Sequence, residues 1–238
     1  MQNITFTNLY NTEVLHPPIP ASKLVPDWYK TLNSYSSNKK EPLKEPAGVP
    51  TTIKRCMPVF DSITAGYILF TPYDVFVTQE QLEEGSSKLQ PYYHWKGNKF
   101  IEFHPIGQAP NYPNNSGHIE AFPKFMNQWG IKTPKGYSTI VLQPMHRESV
   151  FTILPGIVDT DKYDTAINFP FVLNDINFSG LIPAGTPMAQ VIPFKRDSWK
   201  MNFGKEKDLE NAKNTGKKIG SVFFDAYKDM FRQKKDFL

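Results

Sequence analysis

Cysteine and long apolar runs are both scarce in this sequence. Its 238 residues include one cysteine, Cys56, which excludes an intramolecular disulfide and gives no sign of an oxidising compartment. No apolar stretch approaches the roughly 20 residues of a membrane helix, and residues 1–15 lack the basic start and apolar run of a secretory signal. We therefore expect a cytoplasmic protein without a membrane partner.

The glycine-rich loops that hold nucleotide phosphates are also missing. Neither Gly-x-x-x-x-Gly-Lys nor Gly-x-Gly-x-x-Gly occurs in the sequence, which argues against ATP-driven and dinucleotide chemistry. A strong excess of one charge is absent too, since 27 basic and 23 acidic residues give a net charge of +4. This excess is too small and too dispersed to predict a nucleic-acid partner. We interpret the lysines between positions 213 and 235 as the solvated face of a helix.

Aromatic residues and prolines are abundant, and together they predict a fold of short strands. The sequence has 18 Phe, 11 Tyr and 21 Pro, and proline works against long helices because it lacks a donor N–H. Patterns rich in β-branched and aromatic residues predict strands at 3–10, 51–57, 67–78, 137–142, 149–154, 165–173 and 188–194. We further expect a hairpin at 92–103, a short helix at 121–129 and an amphipathic helix near residues 222–231.

These elements predict one domain built mainly from β-strands. We expect a distorted β-barrel or a jelly-roll-like sandwich over residues 51–200. Residues 1–50 would form an extended N-terminal arm packed on this core. Residues 201–238 would form a C-terminal extension that includes the amphipathic helix.

One segment resembles a known enzyme superfamily. Leu154-Pro-Gly156-Ile-Val-Asp159-Thr-Asp161-Lys-Tyr163 is followed by Gly185-Thr-Pro-Met-Ala189-Gln190. This order resembles the Gly-aliphatic-aliphatic-Asp-x-x-Tyr and Gly-x-x-x-Ala-Gln motifs of the dUTP pyrophosphatase and dCTP deaminase superfamily. The resemblance implies a barrel-like β fold, a trimeric assembly, and a nucleotide site that uses Mg²⁺.

The resemblance also implies roles for individual residues. Asp159 would hydrogen-bond the sugar and orient the attacking water, and Tyr163 would stack under the deoxyribose. Arg147 and Ser149 would stand in the place of the family's phosphate-binding Arg-Ser-Ser. Gly156 and Gln190 would complete the ligand-binding set.

Several groups that the enzyme reaction uses are missing or displaced. Ile68 stands in Ala65-Gly-Tyr-Ile-Leu69 where the family has an acid that helps to hold Mg²⁺. Glu148 interrupts the phosphate-binding motif, and its charge would repel phosphate. Tyr163 comes one position late, and in a strand such a slip turns a side chain to the opposite face. We therefore also interpret Gly156, Asp159 and Gly185 as residues that build turns.

A second resemblance covers more of the chain. The order of its motifs is similar to that of an uncharacterised family from phage and bacterial genomes. These motifs are Trp28-Tyr29, Arg55-Cys-Met-Pro58, Gly66-Tyr67, Thr133-Pro-Lys-Gly-Tyr137, Gly156-Ile-Val-Asp159 and Gly185-Thr-Pro187. This resemblance implies a β-rich fold and a phage origin, with the protein in the host cytoplasm or in the virion.

A metal site is a further alternative. His118, Glu120 and His146 have the composition of a two-histidine, one-carboxylate site for Fe(II) on a double-stranded β-helix. Side chains two positions apart on a strand share a face, so His118 and Glu120 could point the same way.

The sequence therefore favours a non-catalytic accessory or structural protein of phage type, which uses its β framework for assembly or for binding a ligand. Self-association is the expected partnership, and no cofactor is expected. The first alternative is a nucleotide hydrolase or sensor centred on Asp159, which would use Mg²⁺. The second alternative is the Fe(II) enzyme.

Overall fold

The computed structural model describes residues 2–10, 16–36, 51–81, 89–108, 121–220 and 225–238. The chain divides into two compact units. The first consists of residues 1–21 and 66–196, and the second of residues 22–65 and 197–238. The expected organisation as one domain with an arm and an extension stays a prediction.

The regular secondary structure of the first unit consists mainly of short strands. They are β1 (Thr5–Asn8), β2 (Ile19–Pro20), β3 (Tyr67–Phe70), β4 (Val75–Gln81), β5 (Leu89–Trp95), β6 (Ile101–Pro105), β7 (Ala121–Phe125), β8 (Trp129–Lys132), β9 (Tyr137–Leu142), β10 (Phe151–Ile153), β11 (Gly156–Val158), β12 (Phe169–Leu173), β13 (Gly180–Ile182) and β14 (Pro187–Lys195). A 3₁₀ turn at Ile106–Gln108 follows β6. The mainly β character predicted from the sequence is confirmed.

These strands pair antiparallel in four sheets. Their orders are β1-β8, β10-β12-β7-β6, β11-β9-β14-β3-β2 and β13-β4-β5. None of these sheets closes into a barrel within the part of the chain that the structure describes, and the jelly-roll-like sandwich, which was the other expected form, stays a prediction.

The core of the first unit is aromatic. Phe125 and Phe171 stack with their ring centroids 4.0 Å apart and their planes 10° from parallel. Phe151 meets both rings edge-on, with centroid distances of 5.1 and 5.7 Å. All three side chains are fully buried. Because they come from β7, β10 and β12, they fix the four-stranded sheet from within.

Two local predictions in this unit are wrong. Residues 121–129 form β7 and the start of β8, where a short helix was expected. Strand β7 pairs with β6 and with β12, and pairing on both sides overrides a local helical preference. The expected hairpin at 92–103 also fails, because β5 pairs with β4 while β6 pairs with β7.

The second unit is mainly helical. Its helices are α1 (Asp27–Thr31), α2 (Met57–Thr64), α3 (Glu206–Gly220) and α4 (Ala226–Met230), with 3₁₀ turns at Ala21–Leu24 (Ala21 itself falls in the first unit) and Ile53–Arg55. Residues 51–57 were expected as a strand, and this prediction is wrong. Pro58 suits the first turn of α2 because that turn needs no N–H from it. Among the described residues, no helix has the length and apolar character needed to span a membrane.

A charged contact joins the C-terminal residues to α2 within the second unit. Arg232 donates to the Asp61 carboxylate from Nη2 at 2.7 Å and from Nε at 3.0 Å. Lys235 Nζ lies 2.9 Å from the other carboxylate oxygen. Burial opposes the charge of Asp61, but the hydrogen bonds from Arg232 and Lys235 outweigh it and lower the pKa of Asp61. Helix α4 confirms part of the amphipathic helix expected near residues 222–231, of which 222–224 lie outside the described residues.

Candidate functional site

The two segments that resemble the dUTP pyrophosphatase family lie in one sheet. Strand β11 ends one residue before Asp159 and pairs with β9, and β9 pairs in turn with β14, which carries Gln190. Gly156 and Val191 are both opposite Val141, on its two sides. The sheet therefore places the two motifs beside the same central strand.

Asp159 follows β11 and begins a tight turn. Its backbone oxygen accepts hydrogen bonds from the amides of Lys162 and Tyr163, each at 2.9 Å. Beneath the turn, the Thr160 hydroxyl contacts the hydroxyls of Thr133 at 2.7 Å and Thr139 at 2.8 Å. Thr160 is fully buried. The turn is thus closed on packed, hydrogen-bonded side chains.

The carboxylate of Asp159 is held by Ser138 and Arg196. The Ser138 hydroxyl donates to Oδ1 at 2.6 Å, and Arg196 Nη1 donates to the same oxygen at 3.0 Å. Arg196 also binds Asp161 through both terminal nitrogens, with 2.9 Å between Nη1 and Oδ1. We call these four residues the Arg196 cluster.

Asp161 is the buried anchor of the cluster. Its side chain is 3% exposed, whereas that of Asp159 is 58% exposed. The hydrogen bond from Arg196, together with one from the Gly136 amide at 2.8 Å, lowers the pKa of Asp161 from 3.8 to about 2. The hydrogen bond that Arg196 donates to Asp161 is also the main cause that raises the pKa of Arg196.

This environment makes Asp159 a poor proton acceptor. The hydrogen bond from Ser138, followed by the charge of Arg196, lowers the pKa of Asp159 below its ordinary value. A general base works best when its pKa lies near the working pH. The cluster lowers that pKa and occupies an oxygen that would otherwise face a water.

Tyr163 lies on the surface beside this turn. Its side chain is 52% exposed, and its hydroxyl donates to the Ala166 carbonyl at 3.4 Å. The turn therefore brings Tyr163 close to Asp159 along the backbone.

Gln190, Arg147 and Ser149 lie towards the other end of β9. Gln190 is opposite Leu142, whereas Asp159 bonds Ser138, four residues away along the strand. At roughly 3.4 Å per residue, this separation is about 14 Å. The structure therefore divides the expected nucleotide site between two ends of one strand.

Gln190 has a structural contact at its end of the strand. It is fully buried, and its Oε1 accepts a hydrogen bond from the Met145 amide at 2.9 Å. Ser149 Oγ accepts from the Phe151 amide at 3.3 Å, and its carbonyl accepts from Asn174 Nδ2 at 2.7 Å. Burial lowers the pKa of the Arg147 guanidinium. The contacts of Gln190 and Ser149 therefore brace the loop between β9 and β10.

The two motif glycines differ in their environments. Gly185 has φ of +79°, and a Cβ there would lie 2.7 Å from the His16 ring. Only glycine fits that turn without strain. Gly156 lies in extended backbone, and a Cβ would meet no atom within 4 Å. The expected turn role therefore holds for Gly185, whereas Gly156 belongs to strand β11.

Two of the three expected Fe(II) ligands lie outside the described residues. His118 and Glu120 lie in the segment 109–120, which is not among the described residues. His146 is described and has a positive φ of 57° in the loop after β9. The described ranges contain no group of three or more His, Cys, Asp or Glu side chains that could hold a metal ion.

Sequence reasoning missed Arg196, the central cation of the cluster. It lies one residue beyond β14 and 37 positions from Asp159. Its amide donates to the Gly136 carbonyl at 2.8 Å, which continues the pairing of β14 with β9. Only knowledge of that pairing would have placed Arg196 beside Asp159.

Comparisons with known proteins add no relative. No protein-family model matches the chain, and the curated proteins contain no significant match.

Proposed function

We propose that this protein is a non-catalytic accessory or structural protein of phage type that acts by self-association. The phage origin rests on the sequence resemblance alone. The non-catalytic character is supported by the Arg196 cluster, which binds one oxygen of the Asp159 carboxylate, and by the contact of Gln190 with the backbone. A framework related to dUTP pyrophosphatases, without their reactive groups, is compatible with antiparallel sheets that join the two motifs.

The observation that carries the proposal is the exposure of residues 197–219. Every side chain in this stretch is exposed. Three large apolar side chains are almost fully exposed, Trp199 at 91%, Met201 at 81% and Phe203 at 88%. Burial of such side chains away from water normally lowers the free energy of the protein. These three side chains recur at every second position, a pattern that buries one face of an extended segment against a partner.

Helix α3 continues this exposed region and has its own apolar stripe. Leu209, Ala212, Gly216 and Ile219 recur at intervals of three, four and three residues, which places them on one side of the helix. Leu209 is 56% exposed and Ile219 is 39% exposed. A helix of 15 residues with an internal glycine is marginal alone in water. Burial of the stripe would stabilise it.

The charges of α3 favour a second copy of the chain as the partner. Glu206, Asp208 and Glu210 lie in its first five residues, together with Lys207, whereas Lys213 lies at its middle and Lys217 and Lys218 lie in its last turn. In an antiparallel pair, the acidic half of one helix faces the basic half of the other. The stripe would then place Leu209 near the partner's Ile219 and the small Ala212 and Gly216 at the centre. Such a pair has two-fold symmetry.

Mixing of charge-reversed variants tests this pairing. One full-length variant carries Glu206→Lys, Asp208→Lys and Glu210→Lys, and the other carries Lys213→Glu, Lys217→Glu and Lys218→Glu. We expect wild type to associate over a micromolar concentration series in analytical ultracentrifugation. Each variant alone should be monomeric because like charges meet, and an equimolar mixture should associate again.

One control variant and three contrary outcomes complete the test. Asn214→Asp changes one charge away from the stripe and should leave association intact. A monomeric wild type at all concentrations would refute the proposal. Association that persists in both separate variants would refute the α3 pairing. A trimer, the form implied by the dUTP pyrophosphatase resemblance, would be recognised by its mass and would contradict the two-fold pair.

A further inference from the structure

The outer face of the β13-β4-β5 sheet borders an open cavity that the Arg196 cluster does not use. Its volume is about 610 Å³, within the roughly 300–1,000 Å³ of small-ligand sites. Its lining residues are Pro72, Tyr73, Asp74, Phe76, His94, Trp95, Lys96 and Ala184. All of them belong to the first unit.

The aromatic side chains of the cavity are held in place by the turn that follows β5. Trp95 Nε1 donates to the Asn98 carbonyl at 2.8 Å, and the Asn98 amide donates to Tyr73 Oη at 3.2 Å. Gly97 has φ of +134°, and a Cβ there would lie 2.5 Å from the Tyr73 ring. Because Trp95 Nε1 and Tyr73 Oη are hydrogen-bonded within the protein, these two side chains offer the cavity mainly their aromatic surface.

Phe76 adds an apolar surface that is open to solvent. It is 55% exposed on β4 and is paired across the strands with His94 of β5. His94 Nε2 lies 2.8 Å from the Thr78 hydroxyl and 3.3 Å from Glu80 Oε1. These contacts hold the imidazole beside Phe76. An exposed aromatic ring beside a positioned polar group is the usual composition of a small-molecule site.

The charged groups of the cavity are balanced. Asp74 Oδ1 accepts a hydrogen bond from the Ala184 amide at 2.7 Å, which fixes the carboxylate at the edge of the cavity. Lys96, another lining residue, supplies one positive charge. Ligands that carry phosphates are bound by several cations or backbone amides. One lysine beside a carboxylate favours an uncharged ligand.

We propose that this cavity binds a ring of a neutral saccharide. The C–H face of a sugar ring would pack on Phe76 and on the aromatic surface of Tyr73 and Trp95. Its hydroxyl groups would donate to Asp74 and exchange hydrogen bonds with His94. This site is independent of the proposed self-association, because none of its residues lies in 197–219.

A glycan array with the full-length protein is the first test. We expect binding to one or more neutral glycans, and the free saccharide of each positive spot is then titrated by calorimetry. Phe76→Ala and Asp74→Asn should each weaken binding about tenfold or more. Asn retains the acceptor for the Ala184 amide, and Phe76 is a surface residue, so both variants should keep the wild-type melting temperature.

Phe103→Ala is the matched control, since Phe103 is 49% exposed on β6 and does not line the cavity. It should bind the saccharide as wild type does. An array without any bound glycan would overturn the proposal. So would wild-type affinity in both Phe76→Ala and Asp74→Asn, or a nucleoside triphosphate that binds the cavity when saccharides do not.

Discussion

Arg196 and Asp161 form a two-pronged ion pair in which each terminal nitrogen of the guanidinium binds one carboxylate oxygen. The distance from Nη1 to Oδ1 is 2.9 Å. This fork geometry is the strong form of an arginine–carboxylate contact. Because the Asp161 side chain is almost fully buried, the pair fixes the turn after β11 to the end of β14.

Asp161→Asn tests the structural role of this pair. The variant keeps the shape of the side chain but loses its charge, and we expect the melting temperature to fall by several degrees. Asp164→Asn is the control, because the Asp164–Lys132 pair at 3.0 Å is more than half exposed on both sides and such pairs contribute little. An equal fall in the melting temperature of both variants would show that the burial of Asp161 does not strengthen its ion pair.

The pH dependence of stability tests the same pair. Asp161 has a folded-state pKa of about 2, below its ordinary value of 3.8, so the unfolded chain takes up the proton first as the pH falls. The stability contributed by Asp161 is present above pH 3.8 and is lost as the pH falls towards 2. In urea unfolding, the difference between wild type and Asp161→Asn should shrink over that interval. A stability difference that grows as the pH falls from 3.8 towards 2 would contradict the lowered pKa of Asp161.

The two motif glycines should respond in opposite ways to alanine. Gly185→Ala places a side chain at positive φ against His16, which we expect to cost about 1–2 kcal/mol of unfolding free energy or more. Gly156→Ala meets open space and should be neutral or stabilising by about 0.4–1 kcal/mol, because it restricts the unfolded chain. Chemical denaturation measures both. A large loss in Gly156→Ala would indicate a role that the fold does not explain.

Gln190→Leu tests whether Gln190 braces the loop after β9. The variant removes the acceptor of the Met145 amide, and an unsatisfied buried donor costs about 1–3 kcal/mol. Amide exchange should show faster exchange at Met145 than in wild type. Gln90→Leu, whose amide group contacts the exposed Tyr92 hydroxyl, should leave this exchange unchanged. Unchanged protection of Met145 in Gln190→Leu would contradict the assignment.

The residue patterns of the sequence predicted individual strands and turns better than they predicted which strands pair with each other. Strand β9 was placed with its observed bounds, and the turn signal at 96–98 was correct. The strands on the two sides of that turn nevertheless enter different sheets. A turn determines only where the chain reverses, whereas its partners are chosen by packing between distant segments.

The candidate site was predicted only in part, because local patterns do not show which distant segments lie beside each other. Asp159 follows a strand and begins a turn, as its motif indicated. Its neutralising partner Arg196 belongs to a strand end that is distant in sequence. The spread of Asp159 and Gln190 along β9 follows from strand register, which a motif on one segment does not specify.

Pyrophosphate release from nucleoside triphosphates with Mg²⁺ tests the central claim most directly, namely that the Asp159 turn is structural. A panel that includes dUTP and dCTP should be assayed with wild type and with Asp159→Asn. We predict that neither protein releases pyrophosphate above the rate without protein. Turnover by wild type that Asp159→Asn abolishes would contradict the claim and establish the nucleotide hydrolase.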